Sequence, residues 1–266
     1  MSNFKIAFAD IPYNSLDVTA SAALSGFSSA YDVIAGERSY ATGLAVDDTT
    51  CSYTFDLGTA YASGQASADY FIVAHADDCD IQTGTTAKLQ RSSDGAAWTD
   101  VCDSSATGSL VGPRDADYYA AFNQVGPYRY WRALFSSAGA VPFQLSKIYT
   151  GLLFDVGVNP DYLTEIKSPS SASWYATSGA AYSMRNAEPF YRVDLKWEGV
   201  TDAKALSFDQ SVIANARECP VFLIATAEPK ILDYNSVIHA KLVNANVTNR
   251  WNNYNVIEAS FEELVA

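Results

Sequence analysis

Histidine is nearly missing from this chain: His75 and His239 are the only two in 266 residues. Nucleophilic catalysis needs a base beside the nucleophile, most often an imidazole. Each of these two sits in a strand-like run (FIVAHA, VIHAKL) and reads as a polar member of a sheet. There is no GxSxG elbow, no HExxH pair and no Walker-type loop. The four cysteines, Cys51, Cys79, Cys102 and Cys219, show no CxxC spacing, which argues against a transition-metal centre. Basic residues are scarce too, with 17 Lys and Arg against 30 Asp and Glu and a net charge of −13. Such a surface repels phosphate backbones, and no Lys/Arg run offsets it, so nucleic acid is not expected as a partner. No apolar run approaches a membrane span, so no membrane insertion is expected. The opening MSNFKIAFADIPYN has no apolar centre for a signal peptide. The thiols are therefore expected reduced, in the cytoplasm where the chain is made. Export by another route stays open, as does release by lysis, which would fit a virion component.

What the chain has in quantity is strand-forming. Seventeen Tyr, thirteen Phe and five Trp stand against two Met, a balance that favours sheets over helices. Charged residues make up only 18%, which points to surface covered by partner chains. The length exceeds a typical single domain, so two are expected. Acid concentrates in the first: residues 1–155 hold 8 basic and 17 acidic residues (net −9), and 156–266 hold 9 and 13 (net −4).

Strand runs recur at regular spacing over residues 1–151, as a sandwich requires, and not in alternating βα units. Residues 152–186 mix apolar side chains with Pro, Ser and Gly without a period. They read as a linker with an extended arm around Ser168–Ser173 that orders only within an assembly. Residues 187–266 open on an alternating strand, Phe190–Val200. A helical period follows over Thr201–Cys219, capped by Thr201 or Asp202, with Ala205, Phe208, Val212 and Ala216 on one stripe. A buried-type strand follows Pro220. Ser236–Trp251 and Tyr254–Leu264 then form an antiparallel pair about the Asn252–Asn253 turn. The fold class expected is mainly β: a jelly-roll β-sandwich followed by a small α+β domain, one helix on an antiparallel sheet.

Four segments within the first domain carry a more specific signal. CSYTFDLG (Cys51–Gly58) is an alternating strand closing on Asp-Leu-Gly. LQRSSDGAAWTDV (Leu89–Val101) is a strand, a Ser-Asp-Gly turn and a Trp. YRYWRALF (Tyr128–Phe135) alternates aromatic and basic residues, and QLSKIYTG (Gln144–Gly151) is a closing strand ending on Gly. In this order they resemble the discoidin-like, or galactose-binding-like, family. The resemblance covers a little over half the chain and implies a jelly roll that binds or scaffolds.

It also implies where a ligand would sit. Family members often place a structural Ca²⁺ in an Ala-x-Asp-Gly loop ahead of the DLG strand. Here that text is AVDDTTCSY, with Asp47 and Thr50 at the family positions and Asp48 in place of the usual Gly. Asp77, Asp78 and Asp80 form a second oxygen-rich loop. For both loops the favoured reading is a solvated acidic turn. No other cofactor is expected. For a glycan, aromatic rings on loops with polar fingers are wanted. Tyr31, Tyr40, Trp98, Tyr118 and Tyr119 qualify by type, with Arg38 and Arg114 as polar partners. Trp98 is expected in the core, as in the family, which leaves Tyr118 and Tyr119 as the surface pair. Arg129 and Arg132 are expected to pair with Asp.

Two functions follow from different classes, both non-enzymatic. The first is a virion structural protein of a phage tail tip or baseplate. It would assemble through its C-terminal domain with copies of itself and other tail proteins, with Tyr254–Leu264 pairing across an edge. This rests on a loose architectural resemblance to phage distal-tail proteins. The alternative is a carbohydrate-binding protein that grips a cell-surface glycan. A catalytic carboxylate pair would be a third reading, but most Asp stand beside Gly, Ser or Thr, where they cap turns.

Overall fold

The computed structural model describes residues 4–8, 11–12, 15–21, 42–43, 49–58, 66–74, 86–104, 110–111, 116–136, 144–145, 147–168, 171–175, 181–185, 190–214, 221–225, 236–251 and 253–263. The strands in chain order are β1 (Phe4–Ala7), β2 (Asp17–Ala20), β3 (Thr42–Gly43), β4 (Thr50–Asp56), β5 (Ala66–Ala74), β6 (Thr86–Ser92), β7 (Thr99–Asp103), β8 (Leu110–Val111), β9 (Ala116–Tyr128), β10 (Tyr130–Ser136), β11 (Gln144–Leu145), β12 (Ile148–Gly151) and β13 (Phe154–Asp155). Then come β14 (Tyr162–Ser168), β15 (Ser171–Tyr175), β16 (Ala181–Arg185) and β17 (Phe190–Val200). Helix α1 (Asp202–Ser207) runs into a π-helical turn at Phe208–Ile213, and β18 (Val221–Ala225), β19 (Ser236–Trp251) and β20 (Tyr254–Glu263) close the chain. Among the described residues no helix is long and apolar enough to cross a membrane.

Two compact units result. The first joins Lys5–Phe154 to Val221–His239, and the second holds Asp155–Pro220 and Ala240–Val265 with the first four residues. The first unit is the expected jelly roll. A five-stranded antiparallel sheet, ordered β2-β4-β10-β6-β7, packs on a four-stranded one, ordered β12-β5-β9-β8. Strand β10 alternates buried and half-buried residues throughout, because every second side chain faces the interior. Register sets large beside small there: Tyr53, Ala133 and Leu89 share one row, and Cys51, Phe135 and Ala87 the next. Trp131 is fully buried between them and the facing Phe71, Val73, Tyr118 and Ile148. Each such side chain contributes about 1.5–3 kcal/mol.

The four-stranded sheet is buried on its other face as well. Tyr70, Ile72, Tyr119 and Tyr149 enter a second cluster with Ala7 of β1, Phe222 and Ile224 of β18, and Val237 of β19. This is why YFIV (Tyr70–Val73) is uninterrupted by polar residues: a strand covered on both sides has no outward face to wet. The division expected at residue 151 therefore differs from the two compact units, the first of which takes in Val221–His239.

In the second unit the antiparallel order is β14-β17-β20-β19. The β19–β20 hairpin turns where expected, with Asn253 at φ 60. Helix α1 starts at the expected cap, Thr201, whose hydroxyl accepts from the Lys204 N–H. Its apolar stripe is also as expected: Ala205, Phe208 and Val212 are buried, and Phe208 lies 5.9 Å from the Trp197 ring. Ala216 lies outside the described residues. The segment expected to be a linker carries β14, which pairs residue for residue with β17, and the β15–β16 hairpin. Its Tyr-Leu-Thr-Glu-Ile-Lys alternation is a strand pattern in its own right. Strand β20, expected to offer a free edge, is paired by β19 on one side and β17 on the other. Its N–H and C=O groups are therefore spent within the chain.

Candidate functional site

The outward face of the five-stranded sheet carries polar rows set by the same register. Asp56, Tyr130 and Ser92 lie side by side, then Thr54, Arg132 and Gln90, then Ser52, Leu134 and Lys88. The middle row is the most organised. Arg132 Nε donates to Gln90 Oε1 at 2.7 Å, and Gln90 Nε2 donates to Asp100 Oδ1 at 2.6 Å. Lys88 Nζ reaches Asp100 at 3.0 Å and Asp103 at 2.9 Å. The Arg132 guanidinium lies 4.2 Å from the centroid of the Trp98 ring, within cation–π range. Trp98 is half-buried, immediately ahead of β7.

Two short motifs hold this face in shape. In the Ser92–Gly95 turn, the Ser92 hydroxyl accepts from the Gly95 N–H at 2.9 Å. Asp94 Oδ1 accepts from the Ala96 and Ala97 N–H groups at 2.9 and 3.0 Å. Gly95 takes φ +75, close to the Tyr130 ring. The turn thereby fixes the path of the chain that delivers Trp98. In the Asp-Leu-Gly motif, Asp56 receives both Nε and Nη2 of Arg129, at 2.7 and 2.9 Å, and also the Gly58 N–H at 2.7 Å. Leu57 is buried, and Gly58 sits at φ +64. The Arg129 guanidinium also lies over Tyr130, 4.7 Å from its centroid.

Charge is unevenly committed on this face. The Ala96 and Ala97 N–H groups bring the Asp94 carboxyl down to about 2. The hydrogen bond from Gln90, then that from Lys88, lowers Asp100, and the two carboxylates raise Lys88 above its ordinary value. Arg129 lowers Asp56. Arg132 moves the other way: burial lowers it from its ordinary value, with Asp100 opposing. A half-buried aromatic ring beside a guanidinium, a carboxamide and a carboxylate is suited to a ligand with an apolar face and a ring of hydroxyls.

No family model matches this chain, and no curated protein matches it either. Solved structures do, over about half its length. A CBM32 module from Clostridium perfringens, in complex with GalNAc-beta-1,3-galactose, is 14% identical with a TM-score of 0.42, covering 53% of this chain and 99% of its own. A CBM32 module from a family 31 glycoside hydrolase of the same organism is 13% identical, TM-score 0.41, covering 55% and 94%. A chitosan-binding module from a chitosanase/glucanase of Paenibacillus sp. IK-5 is 14% identical, TM-score 0.40, covering 53% and 96%.

The site residues expected from sequence fare differently. Tyr118 and Tyr119 are not a surface pair; they are 2% and 4% exposed. Both lie on β9, so they alternate: Tyr118 packs edge-on to Phe71 in the sandwich core, and Tyr119 enters the second cluster. Trp98, expected in the core, is half-buried beside Arg132. Arg129 pairs with Asp56 as expected, whereas Arg132 pairs with Gln90 in place of an Asp. Arg38, Arg114, Tyr31, Tyr40, His75, Asp47, Asp48, Asp77, Asp78 and Asp80 lie outside the described residues. Thr50 is exposed at the start of β4. Among the described residues no group of three His, Cys, Asp or Glu is placed to hold a metal. His239 is buried, with Nε2 3.0 Å from the Tyr149 hydroxyl and its ring against Phe222, a structural setting. Burial first of all pushes the Cys102 thiol up to about 12, so it is protonated at neutral pH.

Proposed function

We propose that the jelly-roll unit binds carbohydrate without cleaving it, and does so on the outward face of the five-stranded sheet. The observation that carries this reading is Trp98, held outside the core beside Arg132 and in line with Gln90, Asp100 and Lys88. A pyranose presents C–H groups on one face and hydroxyls around its edge. The indole takes the first by stacking, and the guanidinium, carboxamide and carboxylate take the second. The partners Gln90 and Asp100 are already oriented by one another, so little side-chain entropy remains to be lost on binding. Assembly into a phage tail has no comparable observation in its favour, since the strand proposed to mediate it is paired on both sides within the chain.

The test is a glycan array probed with the whole chain and with Trp98→Ala. Retained hits that weaken by about fivefold or more in the variant are expected, in keeping with about 1 kcal/mol or more for an aromatic contact. Hits of equal strength in both proteins would move the site elsewhere.

A further inference from the structure

Among the described residues, three cations lie at this outward face, Lys88, Arg129 and Arg132, and two of them are neutralised by carboxylates. Lys88 lies between Asp100 and Asp103, and Arg129 is held by both oxygens of Asp56. Arg132 is the exception. Its Nε goes to a neutral carboxamide, its plane lies against an indole, and among the described residues its two terminal amino groups meet no acceptor. Nor is it short of acid nearby in sequence or space, because Asp100 is one hydrogen bond away but turned to Gln90 and Lys88. In a chain of net charge −13, a half-buried guanidinium left with open donors is the opposite of what random surface pairing produces.

We infer that the glycan bound at Trp98 is acidic, and that its carboxylate takes the terminal N–H groups of Arg132. This rests on the glycan-binding reading above and names the ligand class for the same site. The planar guanidinium fork matches a carboxylate in two parallel charge-assisted hydrogen bonds. Stacking on Trp98 holds that fork rigid, and the Gln90 carbonyl, by occupying Nε, leaves the Nη edge to the ligand. The surrounding Asp100, Asp103 and Asp56 make the wider surface repel anions. A uronate is therefore admitted by local geometry and not by bulk charge. A sulfate ester shares the negative charge but is tetrahedral, so the fork fits it less well.

The experiment uses one sugar backbone in two charge states. Binding of the whole chain to oligogalacturonate and to its fully methyl-esterified form is measured by titration calorimetry, with a sulfated galactan oligosaccharide as a third ligand. The free acid is expected to bind about tenfold or more tightly than the ester. Arg132→Gln should close that gap, and Arg132→Lys, which keeps charge but loses the fork, should restore only part of it. Far-UV circular dichroism and the thermal midpoint confirm that each variant is folded. Equal binding of acid and ester, lost in Trp98→Ala, would overturn the acidic ligand while leaving glycan binding in place. A preference for the sulfated ligand, or a gap that persists in Arg132→Gln, would overturn the carboxylate–Arg132 assignment. No binding of these three oligosaccharides would overturn it too, and if the glycan array is also blank the glycan-binding reading falls with it.

Discussion

Asp56 shows how one side chain can serve three masters. It caps its own turn through the Gly58 N–H, closes a bidentate pair with Arg129, and so fixes the entry to β10. The hydrogen bonds from Arg129, outweighing burial, hold its carboxyl below the ordinary range. A lowered folded-state pKa means that the stabilisation is complete above the unfolded value, near pH 4. It is lost as pH falls through the folded value. Asp56→Asn should therefore cost about 1 kcal/mol at neutral pH and flatten the acid limb of the stability profile below about pH 4, read by urea midpoints across pH. Gly58→Ala is expected to cost about 1–2 kcal/mol, because φ +64 disfavours a Cβ. An unchanged urea midpoint would refute this. These residues were legible in the sequence because their chemistry is local: Asp, Leu and Gly occupy one turn. Trp98 and Arg132 were not, since their shared surroundings depend on Gln90, 42 positions from Arg132, and on a register no single segment states.

Where strands and helix meet, the second unit relies on a polar clamp. The Asp202 N–H donates to Asn253 Oδ1, and the Asn253 N–H returns to Asp202 Oδ2. Asn255, buried beneath them, donates to the Val200 carbonyl at 3.1 Å and to Asp202 Oδ1 at 2.7 Å. The clamp ties the hairpin turn to the start of α1, where a carboxylate also complements the helix dipole. Asn255→Leu keeps the volume and removes both donors, so it should cost about 1–3 kcal/mol, seen as a lowered thermal midpoint. Helix, cap and hairpin were all readable from period and turn chemistry. The burial of Tyr118 and Tyr119 was not, because DADYYAAF looks like a loop beside its turn-rich neighbour. Two adjacent tyrosines point to opposite faces of a strand, and both are buried only when the sheet is covered on both sides.

The chain does not divide at a single point, since the jelly-roll unit takes Val221–His239 from beyond Asp155–Pro220. A chain ending at Phe154 would lose Phe222, Ile224 and Val237 and bare Tyr70, Ile72, Tyr119 and Tyr149. With each of these side chains worth about 1.5–3 kcal/mol when buried, such a chain should bind a hydrophobic dye, associate on size exclusion and melt below the 266-residue chain. A monomeric fragment with the midpoint of the whole chain would show the second cluster to be dispensable. The uninterrupted apolar run at Tyr70–Val73 was the sequence's sign of this cover, although it does not name which later segment supplies it. The same discontinuity bears on biosynthesis. A sheet that needs residue 239 to finish its second face stays incomplete while the ribosome works through the 66 residues from Asp155 to Pro220, so the nascent N-terminal half waits with sticky aromatics exposed. Folding of that unit is thus tied to the synthesis of Val221–His239, and a chain terminated ahead of them would become a client for chaperones.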